Sequence, residues 1–165
     1  MYSHFEAITE SNYQQVARIY QQGMDEGNAT FELTAPHWEQ WNASHLYPGR
    51  IALFHEEVMT GWAALSKVSD RCVYQGVAEV SLYVDAAFRH QGIGSALMTE
   101  LIRISEEYGI HSLMAGIFPE NKASIALHQK NGFRIIGYRE RIARHQGRWR
   151  DTLLLQRRST SIGID

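Results

Sequence analysis

The stretch Glu79 to Gly94, EVSLYVDAAFRHQGIG, constrains this chain more than any other. An apolar alternating run ends near Val84, a turn-like segment follows, and Arg89-His90-Gln91-Gly92-Ile93-Gly94 leads straight into a helix-periodic pattern. That order is strand, glycine-containing loop, helix. The first N–H groups of a helix have no intrahelical partners, and the positive end of the helix dipole adds to them, so such a junction suits an anion, with a pyrophosphate as its natural guest. Taken alone, the Gly-x-Gly spacing reads equally as a tight turn with close packing.

The remaining elements follow from periodicity. Tyr2 to Ile8 suits a first strand, and Ser11-Asn12-Tyr13-Gln14 has the form of a capping box for a helix carrying Tyr13, Val16, Ile19 and Tyr20, which Gly23 or Gly27 can end. A second helix runs from Pro36 to about Leu46 with Trp38, Trp41 and His45 on one face. Arg50 to His55 and Val58 to Lys67 read as paired strands, and Val73 to Val84 as a long strand interrupted by Gly76, where another backbone approaches or a bulge forms. Ideal alternation puts Glu79, Ser81 and Tyr83 on one face and Val80, Leu82 and Val84 on the other. Ile93, Leu97, Leu101, Ile104 and Tyr108 mark a helix that Gly109 ends, with Tyr108 expected in the core. His111 to Phe118 reads as a strand, and Asn121 caps a helix on which Asn121, Ser124 and His128 share a stripe. Phe133 to Ile142 and Trp149 to Leu155 complete the set, joined by a turn at His145-Gln146-Gly147-Arg148. The order is β-α-α-β-β-β-α-β-α-β-β, a mixed α/β layout, followed after Arg158 by a polar tail expected to be disordered.

A chain of 165 residues at 44% apolar content is expected to form one domain with a real core. A net charge of −2 with interspersed signs argues against a nucleic-acid surface, and the basic tract from Arg134 to Arg158 reads first as a solvated strand face. The single cysteine, Cys72, the lack of a leader-like start and the lack of a membrane-length apolar run lead us to expect a cytoplasmic protein. Cys72 has no visible histidine partner for acyl transfer and is read as a structural thiol. The histidines show no metal-ligand spacing, so no metal is expected.

The loop lacks the third glycine and downstream acid of a dinucleotide fold and the Gly-Lys-Ser/Thr ending of a P-loop. Coenzyme A fits what is left: pyrophosphate on the loop amides, pantetheine along exposed strand backbone, thioester near Glu79. At this point the sequence resembles a known family. Arg89-His90-Gln91-Gly92-Ile93-Gly94 is similar to the R/Q-x-x-G-x-G/A acetyl-CoA motif of the GNAT N-acetyltransferases, and the element order is similar to their fold. Thr30-Phe31-Glu32, Gly61-Trp62-Ala63, Ala78-Glu79, Ser81 to Val84, Asn121 with Ser124-Ile125 and Leu127-His128, Gly132-Phe133 and Gly147 to Asp151 resemble the phosphinothricin acetyltransferase group.

The resemblance implies a mostly antiparallel central sheet flanked by helices, with a strand splayed at the acetyl-CoA site, forming one acetyltransferase domain over 1–158 with a tail at 159–165. It implies acetyl transfer from acetyl-CoA to the α-amine of a small amino acid or a toxic analogue such as phosphinothricin or methionine sulfoximine, hence a resistance role, and a homodimer. Leu82, Tyr83 and Val84 would face the acetyl and pantetheine groups, Arg89 would belong to the motif, His90, Gln91, Gly92, Ile93, Gly94 and Ser95 would hold pyrophosphate, and Asn121 with Ser124 would meet the pantetheine arm. Phe31 and Glu32 would line the acceptor site, with Arg71 and Tyr74 near its anionic groups. Where relatives often have a further arginine, two residues before Arg71, this chain has Ser69, which removes one fork-shaped cation from recognition of a carboxylate or phosphinate.

An α-ammonium ion must lose a proton before it attacks a thioester, and Glu79 is the base expected to take it, directly or through water, if it is not merely an ion-pair or surface group. A strand amide near Leu82 to Val84 would meet the developing oxyanion. His128 stands where many relatives place a tyrosine that protonates the departing thiolate; it is read as that acid, as a group orienting the acceptor, or as a packing residue. A protein or polyamine N-acetyltransferase would call for an open groove in place of a pocket walled by Phe31, Trp38 and Arg71, and a non-catalytic acyl-CoA binding module would not need Glu79 and His128.

Overall fold

The computed structural model describes residues 2–165. Strands β1 (Ser3–Ala7), β2 (Arg50–His55), β3 (Val58–Lys67), β4 (Val77–Val84), β5 (Ser112–Ile117), β6 (Arg134–His145) and β7 (Arg148–Arg158) form one sheet in the order β1-β2-β3-β4-β5-β7-β6. Helices α1 (Tyr13–Glu26), α2 (Trp38–Ser44), α3 (Ile93–Glu107) and α4 (Lys122–Lys130) flank it, in the order expected. Every neighbouring pair is antiparallel except β4 with β5.

Alternation in β2 and β3 explains the two layers. Ile51, Leu53, Ala63 and Leu65 face one side and pack against Leu97, Met98 and Leu101 of α3, together with Ala78, Val80, Leu113 and Leu155. Ala52, Phe54, Trp62 and Ala64 face the other side and pack under Val16 and Ile19 of α1 and Trp41 of α2. Each large side chain so buried contributes about 1.5–3 kcal/mol relative to exposure. The second layer covers the β1–β3 half of the sheet and leaves the same face open over β4 to β7, where Glu79, Met114, Gly116, Leu154 and Gln156 line open cavities.

Several expectations are corrected. The helix-one cap forms two residues early: Asn12 Oδ1 accepts from the Thr9 amide at 2.9 Å and Asn12 Nδ2 donates to the Ala7 carbonyl at 3.0 Å, so Asn12 supplies the bonds expected of Gln14. Gly27, at φ +80°, ends α1, whereas Gly23 is buried inside it against the Tyr83 ring. β4 begins only at Val77, because Cys72–Tyr74 makes a short 3₁₀ turn. Gly76 precedes β4, and what approaches it most closely is the His111 ring rather than another backbone. Tyr108 lies 59% exposed beyond the end of α3 and is not core, and Cys72 is exposed on its turn, with no packed structural role. The tail is tied down: the Ser159 amide donates to His111 O at 2.7 Å, its hydroxyl donates to Glu106 at 2.7 Å, and the Arg158 guanidinium donates to the carbonyls of Ser159, Ile162 and Gly163. Polar composition suggested disorder, but one arginine collects the carbonyls that a free tail would leave to water.

Gly61 is a tight point of the core where the neighbour includes backbone. A Cβ there would stand 2.9 Å from both Leu97 Cδ1 and the Tyr83 carbonyl oxygen, and backbone cannot step aside as a side chain can. Gly61→Ala is therefore expected to cost about 1–3 kcal/mol of stability in thermal or urea unfolding; an unchanged midpoint would show that β3, β4 and α3 are packed more loosely than described.

Candidate active site

β4 and β5 share only three residue pairs, Val77 with Ser112, Ala78 with Leu113 and Glu79 with Met114, and then part. From Val80 to Val84 the β5-facing edge of β4 has no strand partner, although its other edge stays paired with β3 throughout. The parting opens a cleft of about 1070 Å³. One side presents Leu82, Tyr83 and Val84, and the other Ala115, Gly116, Ile117 and Phe118. Unpaired backbone N–H and C=O groups along such an edge suit an extended amide-bearing chain, which they can bond as a further strand would.

The mouth of the cleft is the loop before α3. His90 and Gly92 take the left-handed conformation at φ +60° and +80°, turning the chain so that α3 starts at Ile93 with its first amides free. Two braces hold the loop. Arg18 of α1 pairs with the buried Asp85 at 2.6 Å; burial alone would raise the pKa of this carboxyl, but the Ala87 amide and Arg18 hold it below its usual value. Arg89 pairs with Glu26 at 2.6 Å. Arg89, His90, Gly92, Ile93, Gly94 and Ser95 all line the cleft, whereas Gln91 does not, its side-chain amide lying 3.5 Å from the Ala87 carbonyl. Gly94 brings α3 against α4: a Cβ there would stand 3.0 Å from Leu127 Cδ2.

Across the cleft, Asn121 caps α4 by accepting from the Ser124 amide at 3.2 Å and donates to the Asn28 carbonyl at 3.0 Å, so Asn121 and Ser124 line the cleft beside the loop after α1. His128 follows one turn on. A carbonyl oxygen only accepts, so the 2.7 Å contact of Nδ1 with Ser124 O fixes the proton on Nδ1 and leaves a lone pair on Nε2. Burial pushes the His128 pKa down, against the Ser124 bond, which favours the neutral ring. In this resting tautomer Nε2 is placed to accept a hydrogen bond.

Glu79 lies on the open face at the point where β4 and β5 part. Loss of hydration raises its pKa, and the charge of Arg139 partly opposes the rise. Phe31 and Glu32 line the same cleft; Phe31 packs edge-on to Phe118 at 4.9 Å. Tyr83 and Tyr20 pack ring to ring at 4.8 Å, and burial pushes both hydroxyl pKa values up.

A second cavity of about 500 Å³ adjoins the first through Glu79, Ala115, Gly116 and Arg139. Ser69 and Tyr74 line it. Arg71 lines neither cavity; its guanidinium lies over the Tyr74 ring at 5.6 Å. Trp38 stacks on Trp41 in the second layer and walls no pocket, which corrects its expected place. Cys72 lines neither cavity and is not placed to accept an acyl group.

Sequence reasoning missed two arginines. Arg139 borders both cavities. Arg150 is 5% exposed and holds the loop after α1: its guanidinium donates to Gly27 O at 2.9 Å and Asn28 Oδ1 at 2.8 Å and lies 3.9 Å from the centre of the Phe118 ring. Both were hidden in a tract read as a solvated basic face. Alternation along β6 and β7 could have marked them as facing the sheet's open side, but not what they reach.

Among the described residues no group of His, Cys, Asp and Glu can hold a metal, and no helix is long and apolar enough to cross a membrane. Residues 13–133 match the family described as Acetyltransferase (GNAT) family. The chain is 31% identical over 119 residues to the L-methionine sulfoximine/L-methionine sulfone acetyltransferase of Pseudomonas aeruginosa, covering 72% of this chain and 69% of that one. Among solved structures it is similar to a GNAT superfamily phosphinothricin acetyltransferase from Sinorhizobium meliloti in complex with AcCoA, at 27% identity and TM-score 0.85, covering 96% of this chain and 89% of that one. It is also similar to a ribosomal-protein-alanine N-acetyltransferase from Brucella melitensis, at 30% identity and TM-score 0.86, covering 94% and 99%.

The Arg150 clamp is open to test. Arg150→Gln removes charge-assisted bonds to Gly27 and Asn28, with an expected loss of about 2–3 kcal/mol and faster proteolysis within residues 27–32. Wild-type stability and cleavage rate would show that the loop is held by other contacts.

Proposed function

The chain belongs to the acetyltransferase (GNAT) family, in its phosphinothricin acetyltransferase-like group, and on that premise we propose that it acetylates the α-amine of a free amino acid or amino-acid analogue of the methionine sulfoximine or phosphinothricin type. It is an acetyl-CoA-dependent N-acetyltransferase. The observation that carries the reading is the coincidence of three features in one cleft: an unpaired strand edge, a helix N-terminus behind a left-handed glycine, and Glu79 with a raised pKa.

The residues present fit the donor. The free amides at the start of α3, from Ile93 to Ser95, suit pyrophosphate, and Gly92 allows the turn that exposes them. The β4 edge at Leu82 to Val84 suits the amides of the pantetheine arm, with Asn121 and Ser124 on the opposite wall. When bound, acetyl-CoA supplies a thioester carbonyl as the acyl group. The protein's part is proton transfer and charge stabilisation. Glu79, made more basic by partial dehydration, takes the proton from the acceptor's ammonium, directly or through water. An N–H of the β4 edge meets negative charge developing on the carbonyl oxygen. His128, neutral with a lone pair on Nε2, orients the acceptor by accepting a hydrogen bond.

A polypeptide α-amine is the second reading, supported by the likeness to the ribosomal-protein-alanine enzyme. We further propose that two copies associate along the β6–β7 arm, where Ile135, Ile136, Tyr138, Ile142 and Trp149 are each exposed. Light scattering reads this directly: twice the chain mass is expected, and a monomer at all concentrations contradicts it.

A thiol-release assay across methionine sulfoximine, methionine sulfone, phosphinothricin, the proteinogenic amino acids, polyamines and an alanine-led peptide tests the acceptor. Amino acids or their analogues are expected to turn over with the highest kcat/KM; a peptide or polyamine that outperforms them all contradicts the reading. With the best acceptor, Glu79→Gln is expected to lower kcat by about 10²–10³-fold with acetyl-CoA affinity unchanged, and wild-type turnover would remove Glu79 as the base. Because the Glu79 pKa lies above its ordinary 4.5, wild-type kcat is expected to fall as pH drops through that raised value, and the fall should vanish in Glu79→Gln. Gly92→Asp places negative charge at the phosphates and is expected to weaken acetyl-CoA binding at least about 10-fold; unaltered affinity would displace the pyrophosphate from this loop.

A further inference from the structure

Arg139 stands on β6, at the far edge of the sheet, yet it borders the cleft on β4 and β5. It gets there by reaching across β7. Its Nε donates to Thr152 Oγ1 on β7 at 2.9 Å, which fixes the stem, and the guanidinium lies over Gly116 of β5. Gly116 is what makes the reach possible: a Cβ there would stand 2.9 Å from Arg139 Nη2. The glycine and the arginine thus form one device that carries a fork-shaped cation over two strands to the open face holding Glu79.

Arg139 is not consumed by what it meets. Its charge is felt at Glu79, but the two side chains do not close into an ion pair of 4 Å or less, and both border the main cleft and the adjoining cavity. A carboxylate and a guanidinium held apart on one surface match a ligand that carries an ammonium and a carboxylate on the same carbon. No other arginine does this: Arg71 lies over Tyr74 and lines neither cavity, position 69 is a serine, Arg150 is committed to Gly27 and Asn28, and Arg89 to Glu26 at the mouth. Past Arg139, the second cavity is walled by Val68, Val77, Met114 and Leu154, with Ser69 and Tyr74 at its side. That lining suits an apolar or weakly polar side chain.

We propose that Arg139, admitted by Gly116, binds the α-carboxylate of the acceptor between the two cavities and directs its side chain into the second one. This rests on the amino-acid reading above and narrows it to zwitterionic acceptors with a neutral side chain. Arg139 is a specificity residue: it touches no atom that changes bonds, but its bidentate hold presents the amine to Glu79.

The test compares L-methionine with L-methioninamide and 3-(methylthio)propylamine, which keep the amine and the thioether but lack the carboxylate, in wild type, Arg139→Gln and Arg139→Lys. Assayed at a pH well above the Glu79 pKa, so that loss of the Arg139 charge leaves Glu79 ionised, Arg139→Gln is expected to raise KM for L-methionine by about 10–100-fold, with kcat for all three acceptors changed less than about 3-fold and KM for the two carboxylate-free amines changed far less than for L-methionine. Arg139→Lys should recover part of the loss, a point charge replacing a fork. Equal effects on all three acceptors, or no effect on L-methionine, would overturn the role of Arg139 and leave the amino-acid reading standing. Wild-type enzyme that uses the carboxylate-free amines as well as L-methionine would overturn both. Folding is checked independently: Arg139 is exposed, so the variant's melting temperature should match wild type. Gly116→Ala, which crowds the guanidinium, should reproduce the KM effect.

Discussion

The site depends on the parting of two parallel strands after three pairs. A parallel ladder left to itself would continue and satisfy the backbone of both strands. Here β5 turns away toward β7, with which it pairs antiparallel from Ser112 to Ile117, while β4 stays with β3 through Val84. The β4 edge from Val80 onward is therefore left without a strand partner and open to an extended ligand. The same parting sets α3 at the end of β4, so the helix's free amides open into the gap that the strands have made. Donor binding thus follows from topology more than from any one side chain.

Glycines put the side chains to use. Gly23 lets Tyr83 pack into α1, Gly61 lets α3 close on β3, Gly94 lets α4 close on α3, and Gly116 lets Arg139 cross β7. Each removes a Cβ where two elements must approach, and each approach forms a wall of the cleft or of the core behind it. Electrostatics then separates the roles. Glu79, at an open part of the cleft, has its proton affinity raised by partial desolvation; Asp85 is hydrogen-bonded and held toward its ionised form; and burial favours neutral His128. Of the carboxylates that line the cleft, Glu79 is the one at the strand parting, which is why the base role is proposed for it, while Asp85 is committed to bracing the loop.

The loop, strand and helix start proposed to hold the donor were legible in the sequence because they are local. Arg89 to Gly94 with the strand before and the helix after lie within one continuous segment, and the strand parity that exposes Glu79 can be counted. That Asn121, Ser124 and His128 share one helix face lining the cleft was legible for the same reason, as steps of three and four on one helix. The acceptor half is assembled from distant strands. Arg139 and Gly116 are 23 positions apart in the chain, and nothing in either segment says that β7 pairs between β5 and β6. Arg71 and Trp38 were read toward the pocket by residue type, but a turn at Cys72–Tyr74 and the packing of α2 take them elsewhere. The ordered tail escaped because its order comes from Arg158 and Ser159, not from apolar residues.

Amide hydrogen exchange with and without acetyl-CoA tests the central claim, that the strand edge and helix start created by the β4–β5 parting hold the donor. Saturating acetyl-CoA is expected to slow exchange at the β4 amides between Leu82 and Val84 and at Ile93 to Ser95, with little change in β1, β2 and the β6–β7 arm. Protection confined to other segments, with both of these exchanging at the ligand-free rate, would contradict the account.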